Sequence, residues 1–136
     1  MTQRILFTLA FLTSFAGPLA GWAEQKATVA PPAQAGEIMV IYRGPCPAEA
    51  QAAALENIKK VIAYERIHSP VAYSSSPGIW ADGQVGAVDL HRSQEALEQA
   101  FRWQSEDETW SAGYDAVAES CGLRVEDFDM YILTAH

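Results

Sequence analysis

The sequence is short of positive charge. Nine Lys and Arg stand against 17 Asp and Glu, for a formal net charge of −8. Nucleic acid needs a positive surface to displace its counterions, so a nucleic-acid partner is not expected. Docking on anionic lipid is disfavoured for the same reason. No C-x-x-C, G-x-S-x-G or glycine-rich phosphate loop occurs: Gly78, Gly83 and Gly86 read as hairpin glycines, and Ser74-Ser75-Ser76 as a loop run. The three histidines, His68, His91 and His136, are not at metal-ligand spacing. No metal and no cofactor are therefore expected.

Long apolar runs are also scarce. The longest, Ile5–Ala16, is too short for a stable membrane span and follows a lone Arg4. Gly17-Pro18 then breaks it, and the small residues Gly21 and Ala23 sit where a signal peptidase reads them. Residues 1–23 read as a cleavable signal peptide cut after Ala23, with a cut after Ala20 as the alternative. The mature protein would be periplasmic or secreted, with no membrane association after cleavage. Residues 24–36 (EQKATVAPPAQAG) have no apolar period and read as a flexible linker. Residues 37–136 remain for one domain.

Glu37–Arg43 (EIMVIYR) is a run of β-formers closed by Gly44-Pro45, which predicts a buried central strand. From Pro47 to about Ile67, Leu55, Ile58, Val61, Ile62 and Glu65 recur at helical spacing, and Ser69-Pro70 ends the helix. Residues 71–81 are irregular, with a short strand expected at Ile79-Trp80-Ala81. Asp82-Gly83 signals a hairpin. Val85–His91 alternates: Gly86, Val88 and Leu90 face one way, Ala87, Asp89 and His91 the other. Ser93 can cap the next helix, with Leu97, Ala100 and Phe101 as its apolar side. The period slips at residues 104–109, where Ser105-Glu106-Asp107-Glu108 reads as a capping box, so this helix should be in two pieces. Trp110, Tyr114, Val117 and Cys121 resume the spacing and Gly122 stops it. Phe128–Thr134 is the last strand.

The order β-α-β-β-α-β predicts an α+β, ferredoxin-like fold: an antiparallel sheet with the helices on one face. The first and last strands are apolar on both sides, so the open sheet face needs a cover. A second copy packed sheet to sheet supplies one, and a homodimer is expected.

His91–Val117 (HRSQEALEQAFRWQSEDETWSAGYDAV) carries the most specific likeness. A strand end, a Ser cap (Ser93), an Ala-rich helix (Ala96, Ala100, Phe101), an acidic turn (Asp107, Glu108) and a restart on Trp110 resemble the second half of dimeric α+β barrel domains. These include the NIPSNAP family, the antibiotic-biosynthesis monooxygenases and the stress-responsive barrel proteins. The likeness covers roughly residues 37–136 and is closest to NIPSNAP-like and uncharacterised members. It implies a fold more than a reaction, since the superfamily includes cofactorless oxygenases, isomerases, haem-handling proteins and members without known activity. The Asn, Trp and His set of its haem degraders does not carry over, because the only asparagine, Asn57, lies on the charged side of its helix.

Several residues could carry chemistry. In this topology Cys46 and Cys121 lie at one end of the domain and could form a disulfide in an oxidising compartment; the alternative is two separate thiols. His68 and His91 end their elements at the opposite pole and could approach each other. Asp89 and His91 share a strand face and could act in acid–base chemistry, or be a hydrogen-bonded polar pair. His68 also suits a helix C-terminus. Arg43 could bind a carboxylate or enolate, or simply end an exposed strand. His136 is terminal. Tyr42, Trp80, Trp103, Trp110, Tyr114 and Tyr131 could line an apolar pocket, or serve as core and interface. The expected function is binding of a small apolar or aromatic molecule. The alternatives are a cofactorless monooxygenase or isomerase, and a haem-handling protein.

Overall fold

The apolar run after Glu37 forms the centre of the sheet. It is β1 (Ile38–Gly44), and it is paired on both sides, antiparallel to β3 (Val85–His91) and to β4 (Asp129–Thr134). The computed structural model describes residues 30–136; the leader, its cleavage site and the first part of the linker lie outside the described residues. The remaining elements are α1 (Gln51–His68), β2 (Ser74–Ile79), α2 (Gln94–Glu106), α3 (Glu108–Ser120) and a single 3-10 turn at Val125–Asp127. The strands are ordered β2-β3-β1-β4, each antiparallel to its neighbours. This is the expected ferredoxin-like fold.

Strand alternation decides which residues meet the helices. Ile38, Val40, Tyr42 and Gly44 of β1 stand opposite His91, Asp89, Ala87 and Val85 of β3, and all share the covered face. Leu97 of α2 packs on Ile38 and Val40. Ile58, Val61 and Ile62 of α1 pack with Val117 of α3, against Ala87 and Phe128. Gly113 brings α3 close to α1: a Cβ there would lie 3.0 Å from Val61 Cγ2. The opposite face carries Met39, Ile41, Val88, Leu90, Tyr131 and Leu133, and none of the described helices covers it.

The cysteines are bonded. Cys46, just past β1, joins Cys121, at the end of α3, with Cα atoms 4.7 Å apart and a separation of 75 positions in sequence. The helix break also occurs where the period slips, but its cap differs from the expected Ser105. Asp107 both ends α2 and caps α3, its Oδ1 accepting from the Trp110 N–H at 2.8 Å, while the Ser105 hydroxyl donates back to the Arg102 carbonyl. A carboxylate at the start of a helix satisfies a free N–H and favours the dipole, which a back-bonded serine cannot do.

The second strand also differs from expectation. It is Ser74–Ile79, not Ile79–Ala81, and Trp80–Gln84 form the hairpin turn, with Gly83 at φ +84°. A run of Ser, Pro and Gly has little β preference. It forms a strand because β2 lies at the sheet edge, bonded only to β3, where Pro77 need not donate on its open side. The first helix starts at Gln51, after a turn through Pro47–Ala50. Just before β1, Gly36 N–H donates to the Ala135 carbonyl and Ala33 is buried, so the end of the linker segment lies against the domain.

Candidate functional site

Between α1, α3 and the sheet lies an inner cavity of about 40 Å3. Tyr42, Trp110, Tyr114 and Phe128 supply aromatic walls, and Glu65, Ser75, Asp89 and Gln104 supply polar groups. A larger hollow of about 290 Å3 lies outside it, between the end of α1 and the chain entering β2, against Arg66, Ser69, Val71 and Tyr73. Ile62, Glu65 and Ser75 line both spaces, so the two lie against a common wall.

Each polar group is there for a local reason. Glu65 occupies a core-facing position of α1, in phase with Ile58, Val61 and Ile62, and is only 7% exposed. Its Oε1 accepts from Trp110 Nε1 at 2.8 Å. Burial raises its pKa, and hydrogen bonds from Trp110, Tyr73 and Gln104 hold the rise back. Asp89 sits on the covered face of β3, between Val40 on β1 and Ser75 on β2, and is 3% exposed. Its Oδ1 has no hydrogen-bond partner among the described residues. Burial pushes its pKa up to about 7; the Ser75 hydroxyl opposes this and the nearby Glu65 carboxylate adds to it. At neutral pH both protonation states of Asp89 are populated, so it can take or give a proton.

The surrounding hydroxyls do not share that property. Burial drives Tyr42 and Tyr73 far above the ordinary phenol range and pushes Tyr114 up to about 12, so all three stay neutral. Tyr73 accepts from Gln104 Nε2 at 3.2 Å. The described residues lining the inner cavity include no Lys, Arg or His.

The residues singled out in the sequence divide sharply. Tyr42, Trp110 and Tyr114 line the cavity, with Tyr114 stacked on Trp110 at 5.1 Å and edge-on to Tyr42 at 6.2 Å. Trp80, Trp103 and Tyr131 do not. Trp80 lies beside Arg43, whose Cζ is 5.8 Å from its ring centroid. Trp103 stacks on Tyr64, outside the inner cavity. Tyr131 is an outward residue of β4 and half exposed. Arg43 also points away from the cavity, pairing with Asp82 at 3.0 Å and bonding Gln84. It follows Tyr42 in the strand, so alternation places it on the other face.

The two histidines at one pole do not meet. His68 is exposed and stacks on Tyr64 at 4.2 Å; His91 is fully buried and stacks on Tyr73 at 4.5 Å. Neither ring nitrogen of His91 has a partner among the described residues, and burial lowers its pKa, so the ring is neutral. Asp89 and His91 share a face as expected, but only Asp89 borders the cavity. His136 is exposed at the chain end. Sequence reasoning missed Glu65, Tyr73, Ser75, Gln104 and Phe128. Glu65 had a usable signal: a carboxylate in phase with an apolar stripe must be buried, and so must find a partner.

No family model matches the chain, and no curated protein matches it. Solved structures do. Rv0793 from Mycobacterium tuberculosis is similar at 19% identity and TM-score 0.54, over 74% of this chain and 95% of that one. A dimeric ferredoxin-like protein of unknown function from Jannaschia sp. CCS1 is similar at 11% identity and TM-score 0.56, over 74% and 100%. A variant of SnoaB, a cofactor-independent oxygenase from Streptomyces nogalater, is similar at 14% identity and TM-score 0.51, over 75% and 95%. At such identities the likeness establishes a shared fold.

Proposed function

We propose that the protein is an exported homodimer that binds a small, mainly aromatic molecule in the outer hollow and inner cavity. The observation that carries this reading is Asp89: it lines an aromatic-walled space, and one oxygen of its buried carboxyl has no hydrogen-bond partner among the described residues. Burying a polar group without a partner is costly, and a group so buried beside a cavity is a candidate for contact with a ligand. The Cys46–Cys121 bond suits the oxidising compartment to which a cleaved leader would deliver the chain. The uncovered sheet face, with Met39, Ile41, Val88, Leu90, Tyr131 and Leu133, suits a second copy, and one similar structure is itself dimeric. Within the barrel superfamily, the NIPSNAP-like affinity rests on the His91–Val117 pattern alone.

A second reading is a cofactor-independent oxygenase or isomerase. It is favoured by the near-neutral pKa of Asp89, which suits a general base, and by the likeness to SnoaB. Asp89 would withdraw a proton from a bound substrate, while the neutral Tyr42 and Tyr114 hydroxyls would orient it. A haem does not fit. The inner cavity is too small for the macrocycle, and no histidine lines it.

The test is a thermal-shift panel of small aromatic compounds on the wild-type protein and on Asp89→Asn. Binding stabilises in proportion to ln(1 + [L]/Kd). A rise in Tm with at least one aromatic class, reduced in Asp89→Asn, supports the site. No shift across the panel at millimolar concentration contradicts it. Oxygen uptake with the binding compounds then separates the enzyme from the binding protein.

A further inference from the structure

We propose that the inner cavity receives a primary ammonium group, carried on a short apolar or aromatic body that lies in the outer hollow. This deepens the ligand-binding reading above and rests on it. Four features of the cavity lead to it.

The first is charge. Among the described residues, the polar wall carries two carboxyls, Glu65 and Asp89, and no cationic side chain. A carboxylate or phosphate ligand would meet like charge without a counterion in a water-poor space. An ammonium would supply the missing opposite charge, and buried charges persist when they are paired and hydrogen-bonded. Among the described residues, the cation that lines the outer hollow, Arg66, is exposed and does not line the inner cavity.

The second is hydrogen bonding. Asp89 Oδ1 is an acceptor without a donor among the described residues. Glu65 uses Oε1 on Trp110 Nε1, which fixes the carboxyl against α3. An ammonium brings three donors, enough for Asp89, for Glu65 and for the Ser75 hydroxyl on the same wall. An alcohol brings one. The third is the aromatic lining. Tyr42, Trp110, Tyr114 and Phe128 offer π systems that attract cations and tolerate a methylene beside them.

The fourth is size. A space of about 40 Å3 holds roughly three water-sized groups. That admits an aminomethyl or aminoethyl head and excludes an aromatic ring. The outer hollow, about 290 Å3, has the room for the ring, and Ile62, Glu65 and Ser75 lie where the two halves of the ligand would join.

Binding then depends on the proton carried by Asp89. The titratable groups that face it are Glu65 from α1, Tyr42 from β1, Tyr73 ahead of β2 and Tyr114 from α3; all are acidic or neutral. The ammonium needs Asp89 ionised, so binding below neutral pH should expel a proton and weaken as pH falls.

The experiment is calorimetric titration of the wild-type protein with three matched probes: 2-phenylethylamine, 2-phenylethanol and 3-phenylpropionate. The expected result is that the amine binds at least ten-fold tighter than the alcohol and that the acid does not bind. At pH 6, repeating the amine titration in buffers of different ionisation heat should show net proton release. Asp89→Asn, if its circular dichroism is native, should lose at least ten-fold in amine affinity and little for the alcohol. Equal binding of amine and alcohol, or tighter binding of the acid, would overturn the ammonium assignment and leave the cavity as a ligand site; amine binding without proton release would overturn the protonation of Asp89 at pH 6. Failure of all three probes to bind at millimolar concentration would overturn the assignment and the ligand-binding reading together.

Discussion

β3 and β4 flank the same central strand, yet they have opposite surroundings. β3 lies under the helices, and Val85, Asp89 and His91 on its covered face are buried. β4 has the more apolar sequence, but Met130, Tyr131, Ile132 and Leu133 are each about half exposed, on both faces of the strand. Of these two strands, the chain thus hides the polar Asp89 and His91 of β3 and leaves the apolar run of β4 half exposed. Burial here follows helix placement: α1, α2 and α3 cover the β1–β3 side and stop short of β4. Hydrophobic surface left out in this way marks an interaction site, whereas buried polar groups mark a site of chemistry or binding.

The largest effect should come from breaking the exposed strand. Ile132→Asp combined with Leu133→Asp places a charge on each face of β4. Light scattering at micromolar concentration should show a dimer for the wild type and a folded monomer for the variant. A monomeric wild type would contradict the dimer.

On the buried side, the next effect is expected from opening the Cys46–Cys121 bond. In the chain-entropy model a closed loop of this size contributes about 4 kcal/mol, so Cys46→Ser with Cys121→Ser should lose about that much stability in urea unfolding. The wild-type protein should show an intact mass two hydrogens heavier after reduction, and the double variant no change.

Asp89 makes the buried strand sensitive to pH. Its folded pKa, about 7, lies above its unfolded value near 3.8, so between those limits the folded state holds a proton that the unfolded state releases. The contribution of this group to stability is therefore most favourable below pH 4, falls as pH rises to 7, and is flat above. Glu65 is shifted the same way. The loss attributable to Asp89 is at most about 4 kcal/mol. Asp89→Asn should remove most of this slope and be the more stable protein at pH 8, measured by urea unfolding across pH.

Two smaller changes sharpen the contrast between inside and outside. Trp110→Phe removes the donor to Glu65 and leaves a buried carboxyl oxygen unpaired; a loss of about 1–3 kcal/mol is expected. Arg43→Ala breaks a partly exposed ion pair with Asp82 on the outer face and should cost less than about 1 kcal/mol.

Much of the fold could be read from the chain because period and punctuation agreed. β1 and β3 carry strong β-formers, Ser69-Pro70 stops α1, and the slip before Trp110 marks the break between α2 and α3. β2 could not be read, since Ser74–Gly78 owes its strand to the sheet edge and not to its residues. The site was half legible for a similar reason. Tyr42, Trp110 and Tyr114 stand out as aromatics, but so do Trp80, Trp103 and Tyr131, and only side-chain direction separates the sets. Adjacent residues such as Tyr42 and Arg43 fall on opposite faces. Glu65 was hidden by its own periodicity: in phase with Ile58 and Ile62, it counted toward an apolar stripe. The pairing of Glu65 with Trp110 joins residues 45 apart in sequence, which no local pattern discloses.

The most direct measurement is an NMR titration of the Asp89 side-chain carboxyl, with the carboxyl carbon labelled and the resonance identified by its loss in Asp89→Asn. A midpoint near pH 7 is predicted, as a buried carboxyl beside Glu65 requires. A midpoint near 4, the value of a solvated aspartate, would mean that Asp89 is open to water, and would contradict the buried site.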